Sequence, residues 1–324
     1  MPSRPSVVII CPKEFKFTDT EASVERPHLT DIADLSTVWL DFGAPFPAAA
    51  LDAHAHILWH GPLMDAAVIA QLKNSRVIIR NGVGFDTVDT AAAARAGIPV
   101  CNVPDYGTEE VADHALGLIL ALYRQLFPLD AEAKRLGWKI EVAPKMRRLR
   151  TQTLGLVGLG RIGIATALRA KAFGFRVIFF DPYAPVGTRK AIGLEQVSSL
   201  DELIKLSDCV SIHCPLSAET RGMIGAREIG LMKRGAFLVN TARGDIVQKK
   251  AAFAALRSGH LGGAGFDVVE NEPLRTAEEA ATPNLICTCH AAFCSPEGMV
   301  EMRTTSARIA RAAILGQPVW NRVN

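Results

Sequence analysis

Three polar residues of this 324-residue chain are of types that could do chemistry, and each comes just after a predicted strand. Arg243 follows the segment FLVNTA, Glu272 comes after a strand ending at Val268, and His290 follows LICTC. An arginine can bind a carboxylate bidentately, and a histidine titrates near neutral pH and can exchange the proton of an alcohol. A glutamate hydrogen-bonded to that histidine would fix its tautomer and favour its protonated form. Because open α/β sheets bind ligands at the carboxyl ends of their strands, we predict that these three residues are catalytic.

Each of the three also has a plainer explanation when it is taken alone. Arg243 could pair with Asp245 at a turn, Glu272 could be a surface residue before Pro273, and His290 could be a loop histidine with its hydrogen bonds satisfied. A catalytic role is favoured only if the rest of the chain supplies a scaffold on which such residues act together.

That scaffold is indicated by the segment from Leu154 to Asp181. An apolar strand pattern leads into GLGRIG (158–163), a helical pattern follows, and a second apolar strand ends at an acidic residue. This context is typical of a dinucleotide-binding unit, whereas the glycine pattern alone would be weak evidence. Gly158 allows the tight turn, Gly160 lets the backbone approach a pyrophosphate, and Gly163 lets helix and strand pack closely.

The same unit predicts which dinucleotide binds. The pyrophosphate would lie at the helix N-terminus, where free N–H groups and the positive end of the helix dipole favour an anion. Asp181 would accept hydrogen bonds from the ribose hydroxyls, and its charge would repel a 2′-phosphate. We therefore predict NAD rather than NADP as the cofactor.

Composition excludes several other classes of function. A hydrophobic share of 49%, a charged share of 21% and a net charge of +3 are ordinary for a globular protein and give no reason to expect nucleic-acid or membrane binding. No apolar stretch reaches transmembrane length, and the first residues lack the apolar core of a signal peptide. The seven cysteines are scattered, which favours reduced thiols in a cytoplasmic protein.

A zinc site is the alternative reading of the segment around His290. Cys287, Cys289, His290 and Cys294 are close in sequence, and three thiols with an imidazole could hold zinc. The paired CxxC spacing is absent, however, and strand alternation would put Cys287 and Cys289 on one face and His290 on the other. We predict no metal.

The remaining pattern is of alternating strands and helices, which predicts parallel sheets with helices on their faces. Residues 12–53 are hard to interpret, and the pattern over 29–35 is compatible with a helix. A long helix from Thr108 is apolar over a wide arc and is expected to pack on more than one side, with a subunit contact as one possibility. Residues 128–150 are charged and irregular, with Trp138 as the expected apolar anchor.

Taken together, the motifs resemble those of the D-isomer-specific 2-hydroxyacid dehydrogenases, in the branch of the C-terminal-binding-protein corepressors and phosphoglycerate-dehydrogenase-like enzymes. The resemblance covers residues from about 55 to 311 and rests on motifs that occur in one order: RNGVGFD (80–86), CNVPDYGTEEVADHALGLILAL (101–122), GLGRIG (158–163), HCPL (213–216), NTARG (240–244), FDV (266–268), NEP (271–273) and HAAF (290–293).

The resemblance implies an α/β fold of two Rossmann-like, doubly wound parallel-sheet domains with a cleft between them. Residues 1–104 with 295–324 would form the substrate domain, and 105–294 the NAD-binding domain, through which the family commonly forms homodimers. Arg243 would hold the substrate, His290 would be the acid/base with Glu272 as its partner, and the backbone at Val83 and Gly84 would hold the substrate carboxylate. The cofactor site would be lined by Thr108, Gly158, Gly160, Arg161, Ile162, Gly163, Asp181, His213, Pro215, Thr220, Thr241, Ala242 and Asp267.

Three positions depart from the family pattern or are left open by it. Cys289 replaces the proline that often precedes the catalytic histidine, which leaves that backbone less restrained. Phe293 replaces a tryptophan of the corepressor branch, and His60 is about as compatible with a plain turn as with a substrate contact.

The expected reaction is reversible reduction of a small 2-keto acid by NADH to the D-2-hydroxy acid. One rival is an NADH-sensing scaffold that recruits protein partners, which the complete set of Arg243, Glu272 and His290 disfavours. Another is hydride abstraction of the formate-dehydrogenase type, whose members carry glutamine where this chain has Glu272.

Overall fold

A computed structural model of the protein describes residues 4–13, 21–41 and 43–324. The chain divides into two compact units. The first unit comprises Met1–Gly107 with Cys294–Asn324, and the second unit comprises Thr108–Phe293.

The first unit is built on a five-stranded parallel sheet in the order β2-β1-β3-β4-β5. The apolar residues of β1, β3 and β4 are buried, as expected for parallel strands that are covered on both faces. Its strands are β1 (Ser6–Pro12), β2 (Asp34–Leu40), β3 (Ala55–Leu58), β4 (Val77–Arg80) and β5 (Val100–Asn102). Its helices are α1 (Arg26–Leu29), α2 (Ala48–Leu51), α3 (Ala66–Ile69), α4 (Thr90–Arg95) and, near the C-terminus of the chain, α13 (Pro296–Ile314).

The helix that the sequence suggested over residues 29–35 is wrong. Helix α1 ends at Leu29, and β2 begins at Asp34 and pairs with β1 at the edge of the sheet. The residues of β2 are half-buried or exposed up to Leu40, because an edge strand is covered incompletely. Its mixture of polar and apolar residues therefore carries no continuous apolar run.

The second unit is built on a seven-stranded parallel sheet in the order β12-β11-β10-β9-β6-β7-β8. Its strands are β6 (Thr153–Val157), β7 (Arg176–Phe180), β8 (Glu195–Gln196), β9 (Cys209–Ile212), β10 (Ala236–Asn240), β11 (Leu261–Phe266) and β12 (Leu285–Cys287). Its helices are α5 (Thr108–Arg124), α6 (Leu126–Lys134), α7 (Arg161–Ala172), α8 (Thr188–Ile192), α9 (Leu200–Leu206), α10 (Ala226–Leu231), α11 (Lys249–Arg257) and α12 (Ala277–Ala280).

Helices cover both faces of this second sheet. On one face, residues of α5 and α7 such as Ile119 and Ala167 pack with Phe179 and Phe237. On the other face, residues of α9, α10 and α11 such as Leu203 join a second apolar cluster. The predicted fold class, two doubly wound parallel α/β sheets, is confirmed.

None of the helices in the described residues combines the length and the apolar composition that a membrane span requires.

The segment after α5 differs from its prediction. Residues 126–134 form α6 rather than an irregular stretch, and α6 buries none of its residues. Trp138 is 93% exposed and is therefore not an anchor for this segment within the chain. By contrast, α5 packs its wide apolar arc against α7, β10 and β11 of its own unit.

Candidate active site

The three predicted catalytic residues follow three adjacent strands of the second sheet. Strands β10, β11 and β12 are parallel neighbours, so their carboxyl ends lie at the same edge. Arg243 comes three residues after β10, while Glu272 and His290 lie in the loops after β11 and β12. The parallel arrangement thus brings together residues that are far apart in sequence.

His290 and Glu272 are hydrogen-bonded. The distance from His290 Nδ1 to Glu272 Oε2 is 2.9 Å, and the two side chains are 21% and 32% exposed. An ionised carboxylate can only accept a hydrogen bond, so Nδ1 carries the proton of this bond. The other ring nitrogen, Nε2, is then the atom that can exchange a proton with a substrate.

Asp267 fixes the loop that carries His290. The backbone N–H of His290 donates to the Asp267 carbonyl oxygen at 2.8 Å. The N–H groups of Ala291 and Ala292 donate to the two carboxylate oxygens at 2.9 Å each, and the Thr288 hydroxyl contacts Oδ1 at 2.5 Å. Asp267 is only 3% exposed, and the family resemblance implies only a cofactor contact for it. These bonds hold His290 in a left-handed backbone conformation with φ +53°, which is uncommon for a residue other than glycine.

The turn that carries Arg243 is held by Asn240, which sequence reasoning missed. The Asn240 amide donates to the Arg243 carbonyl oxygen at 2.9 Å and accepts from the Ala242 N–H at 3.0 Å. Asn240 is buried, and its position as the last residue of β10 was the available signal. Asp245, the alternative partner considered for Arg243, forms an ion pair with Arg221.

The glycine-rich loop joins β6 to α7. Gly158 has φ +92°, and a Cβ there would lie 2.7 Å from the Cys214 nitrogen, so both turn and packing require glycine. A Cβ at Gly163 would lie 2.5 Å from the Gly158 carbonyl oxygen, which explains the close packing of α7. A Cβ at Gly160, in contrast, would meet nothing within 4 Å. The space at Gly160, at the N-terminus of a 12-residue helix, fits a bound pyrophosphate.

Asp181 stands at the end of β7, where the sequence predicted a ribose contact. Its Oδ2 accepts the Leu159 N–H at 2.8 Å, and its Oδ1 accepts the Tyr183 N–H at 2.8 Å. The carboxylate therefore also ties the glycine-rich loop to β7. Each oxygen has a second lone pair that can accept a further hydrogen bond.

Two buried polar atoms in the described part of the chain have no partner and lie after neighbouring strands of this edge. They are Nδ1 of His213, after β9, and Oγ1 of Thr241, after β10. The other His213 nitrogen, Nε2, is 2.9 Å from the Ser211 hydroxyl, and burial lowers the pKa of the imidazole to about 4. Unpaired buried polar atoms are costly, so their position at the cofactor edge agrees with a site that a polar ligand completes.

The remaining predicted cofactor residues also belong to this unit. Thr220 accepts from the Ser217 N–H at 2.8 Å and donates to the Pro215 carbonyl oxygen at 2.7 Å, which closes a turn after β9. Thr108 begins α5, and Arg161 and Ile162 form the first turn of α7.

The predicted substrate-binding residues lie in the first unit, after two adjacent strands. His60 follows β3, and the loop with Val83 and Gly84 follows β4. Asn102 donates to the Val83 carbonyl oxygen at 2.7 Å, and the Val103 N–H donates to the Gly82 carbonyl oxygen at 3.0 Å. The loop backbone is thus held from β5.

The chain is similar to known proteins in both sequence and structure. Residues 116–292 match the model of the D-isomer specific 2-hydroxyacid dehydrogenase family, NAD binding domain. The chain is 34% identical to C-terminal-binding protein 1 of Caenorhabditis elegans over 92% of its own length and 42% of that protein. It is 37% identical to D-3-phosphoglycerate dehydrogenase of Methanocaldococcus jannaschii over 84% of its own length and 52% of that protein.

The chain thus spans about half the length of these two curated relatives. Among solved structures, a glyoxylate reductase from Paecilomyes thermophila superposes with a TM-score of 0.85 at 29% identity. The superposition covers 100% of this chain and 99% of the reductase chain. The family match extends over more than half of the chain and includes the glycine-rich loop, Arg243, Glu272 and His290. The protein belongs to the D-isomer-specific 2-hydroxyacid dehydrogenase family.

Proposed function

We propose that this protein is an NAD-dependent D-2-hydroxyacid dehydrogenase that interconverts a small 2-keto acid and its D-2-hydroxy acid. The observation that carries the proposal is the His290–Glu272 hydrogen bond of 2.9 Å, at the same sheet edge as Arg243 and the glycine-rich loop. A dinucleotide site alone would serve many functions. An acid/base pair beside an arginine on that edge is suited to a substrate with a carboxylate and an exchangeable hydroxyl proton.

The second unit would hold the cofactor. The N-terminus of α7 and the open space at Gly160 suit the pyrophosphate, and Asp181 suits a ribose with free hydroxyls. The unpaired Nδ1 of His213 and Oγ1 of Thr241 would gain polar contacts. When bound, the nicotinamide ring supplies or accepts the hydride.

The residues of the chain would handle the charge and the proton of the substrate. The Arg243 guanidinium would bind the substrate and polarise its carbonyl group. In reduction, Nε2 of His290 would give a proton to the carbonyl oxygen, and in oxidation it would take the proton back. Glu272 would hold the ring by its Nδ1–H so that Nε2 stays directed to the substrate. We further propose that the first unit binds the substrate through the backbone at Val83 and Gly84, with His60 as an additional contact.

A panel of 2-keto acids tests the proposal. NADH oxidation would be followed with glyoxylate, hydroxypyruvate, pyruvate and 2-oxoglutarate, for the wild type, His290→Ala and the control His28→Ala, which removes a histidine of the first unit. We expect turnover of at least one acid, lost in His290→Ala and kept in His28→Ala. If His290→Ala binds NADH and turns over near the wild-type rate, the proposed role of His290 is wrong.

The resemblance to C-terminal-binding protein 1 supports a second candidate, an NADH-sensing scaffold. Tight NADH binding without turnover of any acid would favour it, and a capture experiment with and without NADH would then identify partners that bind only the loaded protein. The formed His290–Glu272 pair favours the enzyme, because a scaffold has no need of an oriented acid/base.

We also propose a homodimer formed through the second unit. Five large apolar side chains of the segment 126–140 are more than half exposed, and we call them the 126–140 apolar surface: Leu126, Phe127, Leu136, Trp138 and Ile140. Large exposed apolar side chains gathered in one segment are typical of a protein contact. In analytical ultracentrifugation, Trp138→Ser should shift a dimer to monomer, whereas the control Phe173→Ser, at another exposed apolar residue, should not.

Seven free thiols support the predicted cytoplasmic location.

A further inference from the structure

A histidine outside the proposed catalytic set reaches the loop that carries His290. His114 lies in α5, and its Nε2 is 3.0 Å from the Thr288 hydroxyl oxygen. The same hydroxyl is 2.5 Å from Asp267 Oδ1. The three residues form a chain of polar contacts from a helix to the loop, ending on a carboxylate that is 1% exposed.

The donors and acceptors in this chain can be assigned. Asp267 acts as an acceptor, since it receives the backbone N–H groups of Ala291 and Ala292. A threonine hydroxyl has a single proton, and the shorter contact directs it to Asp267. The hydroxyl oxygen must then accept from His114, so Nε2 of His114 carries a proton.

The loop needs such anchors because its own backbone does not restrain it. Residue 289 is a cysteine, which does not fix φ as a proline would, and His290 occupies a left-handed conformation that is strained for a residue with a side chain. Thr288 lies two residues before His290, and its hydroxyl is fixed on both sides, by Asp267 and by His114. The contact with His114 ties the loop to α5, a long helix packed on the sheet.

We infer that His114 is a positioning residue, which holds the His290 loop through Thr288. His114 does not touch the reacting atoms in this scheme. Its effect on turnover rests on the proposed function, whereas its effect on the loop does not. The two effects are therefore measured separately.

The first measurement requires no activity. Amide hydrogen exchange of Ala291 and Ala292 would be compared in the wild type, His114→Leu and His114→Gln, since the glutamine amide can replace the Nε2–H donor. We expect exchange about tenfold faster in His114→Leu, because one hydrogen bond of the loop is lost, and near-normal exchange in His114→Gln. Equal exchange in wild type and His114→Leu would overturn the inference, whatever the activity of the protein. In ¹⁵N-histidine NMR, an unprotonated Nε2 on His114 would contradict the donor assignment.

The second measurement separates positioning from stability. With the keto acid that the wild type reduces, His114→Leu should lower kcat about tenfold, because the proton donor is displaced, and should change the Kd for NADH less than about twofold. His114→Gln should restore kcat to within about twofold. Equal loss in His114→Leu and His114→Gln would refute a donor role, since glutamine offers an N–H donor and leucine offers none.

A double-variant cycle tests whether His114 acts through Thr288. Thr288→Val removes the hydroxyl at constant shape, and Thr288→Ser keeps it. If the inference holds, kcat of the double variant Thr288→Val/His114→Leu is no lower than kcat of Thr288→Val alone. Additive losses would mean that His114 acts by another route. Absence of wild-type turnover would refute the proposed function, and the exchange experiment would still decide this inference.

Discussion

The imidazole of His213, whose Nδ1 is out of contact with solvent, makes the stability of the second unit depend on pH. Burial lowers its pKa from an ordinary value of 6.5 to about 4. The unfolded chain therefore binds a proton near pH 6.5, whereas the folded chain binds it only near pH 4. Between these values the unfolded state holds more protons, so the free energy of unfolding decreases as the pH falls through this window.

The size of the effect follows from the two pKa values. The full decrease in the free energy of unfolding, reached below pH 4, is about 3 kcal/mol. Between pH 7 and pH 5 the decrease is about 2 kcal/mol. His213 as a whole is only half-buried, although its Nδ1 is out of contact with solvent, so these figures are upper values. The variant His213→Gln removes the titrating group and keeps a nitrogen that can reach Ser211.

The assay is urea unfolding without cofactor, followed by far-ultraviolet circular dichroism at pH 5, 6 and 7. Between pH 7 and pH 5, we expect the free energy of unfolding of the wild type to fall by up to about 2 kcal/mol more than that of His213→Gln. Ser211→Ala is the matched control, since it removes the hydroxyl partner but keeps the imidazole, and it should retain the wild-type pH dependence. Identical pH dependence in the wild type and His213→Gln would refute the argument from burial.

The other predictions concern the cofactor loop and the core. Asp181→Asn keeps an acceptor for the Leu159 N–H but removes the charge, so the preference for NADH over NADPH should fall about tenfold in fluorescence titrations. Gly160→Ala should weaken NADH binding without changing thermal stability, because its Cβ meets only open space. Gly163→Ala, in contrast, should lower the free energy of unfolding in urea by about 1 to 3 kcal/mol, because its Cβ would clash with backbone. A Gly160→Ala protein that binds NADH normally would contradict the proposed pyrophosphate position. Tyr123→Phe should raise the free energy of unfolding by about 1 kcal/mol, since no protein group within the described residues hydrogen-bonds the buried hydroxyl, and a loss of stability would show that the hydroxyl has a partner.

The dinucleotide unit could be predicted from the sequence because its determinants are local. A strand, a glycine turn, a helix and a second strand follow one another. The positive φ of Gly158 and the close contact of Gly163 with the Gly158 carbonyl oxygen both arise within this segment. Arg243, Glu272 and His290 could be chosen for a related reason. Each follows a strand with a clear apolar pattern, and parallel pairing places such ends at one edge.

The sequence was less informative where burial is incomplete or where a surface has no partner within the chain. Strand β2 was missed because an edge strand lacks a continuous apolar run. Size and apolarity predict that Trp138 is buried, yet it is exposed.

The tertiary structure alone decided what holds the proposed catalytic residues in place. His114, Asp267 and Thr288 come from a helix and two loops that are distant in sequence, and no spacing rule connects them. Asn240 was likewise visible only as the end of a strand until its two hydrogen bonds were known. Residue types and strand ends are properties of the sequence, whereas these hydrogen bonds exist only after the sheet has brought its strand ends and α5 together.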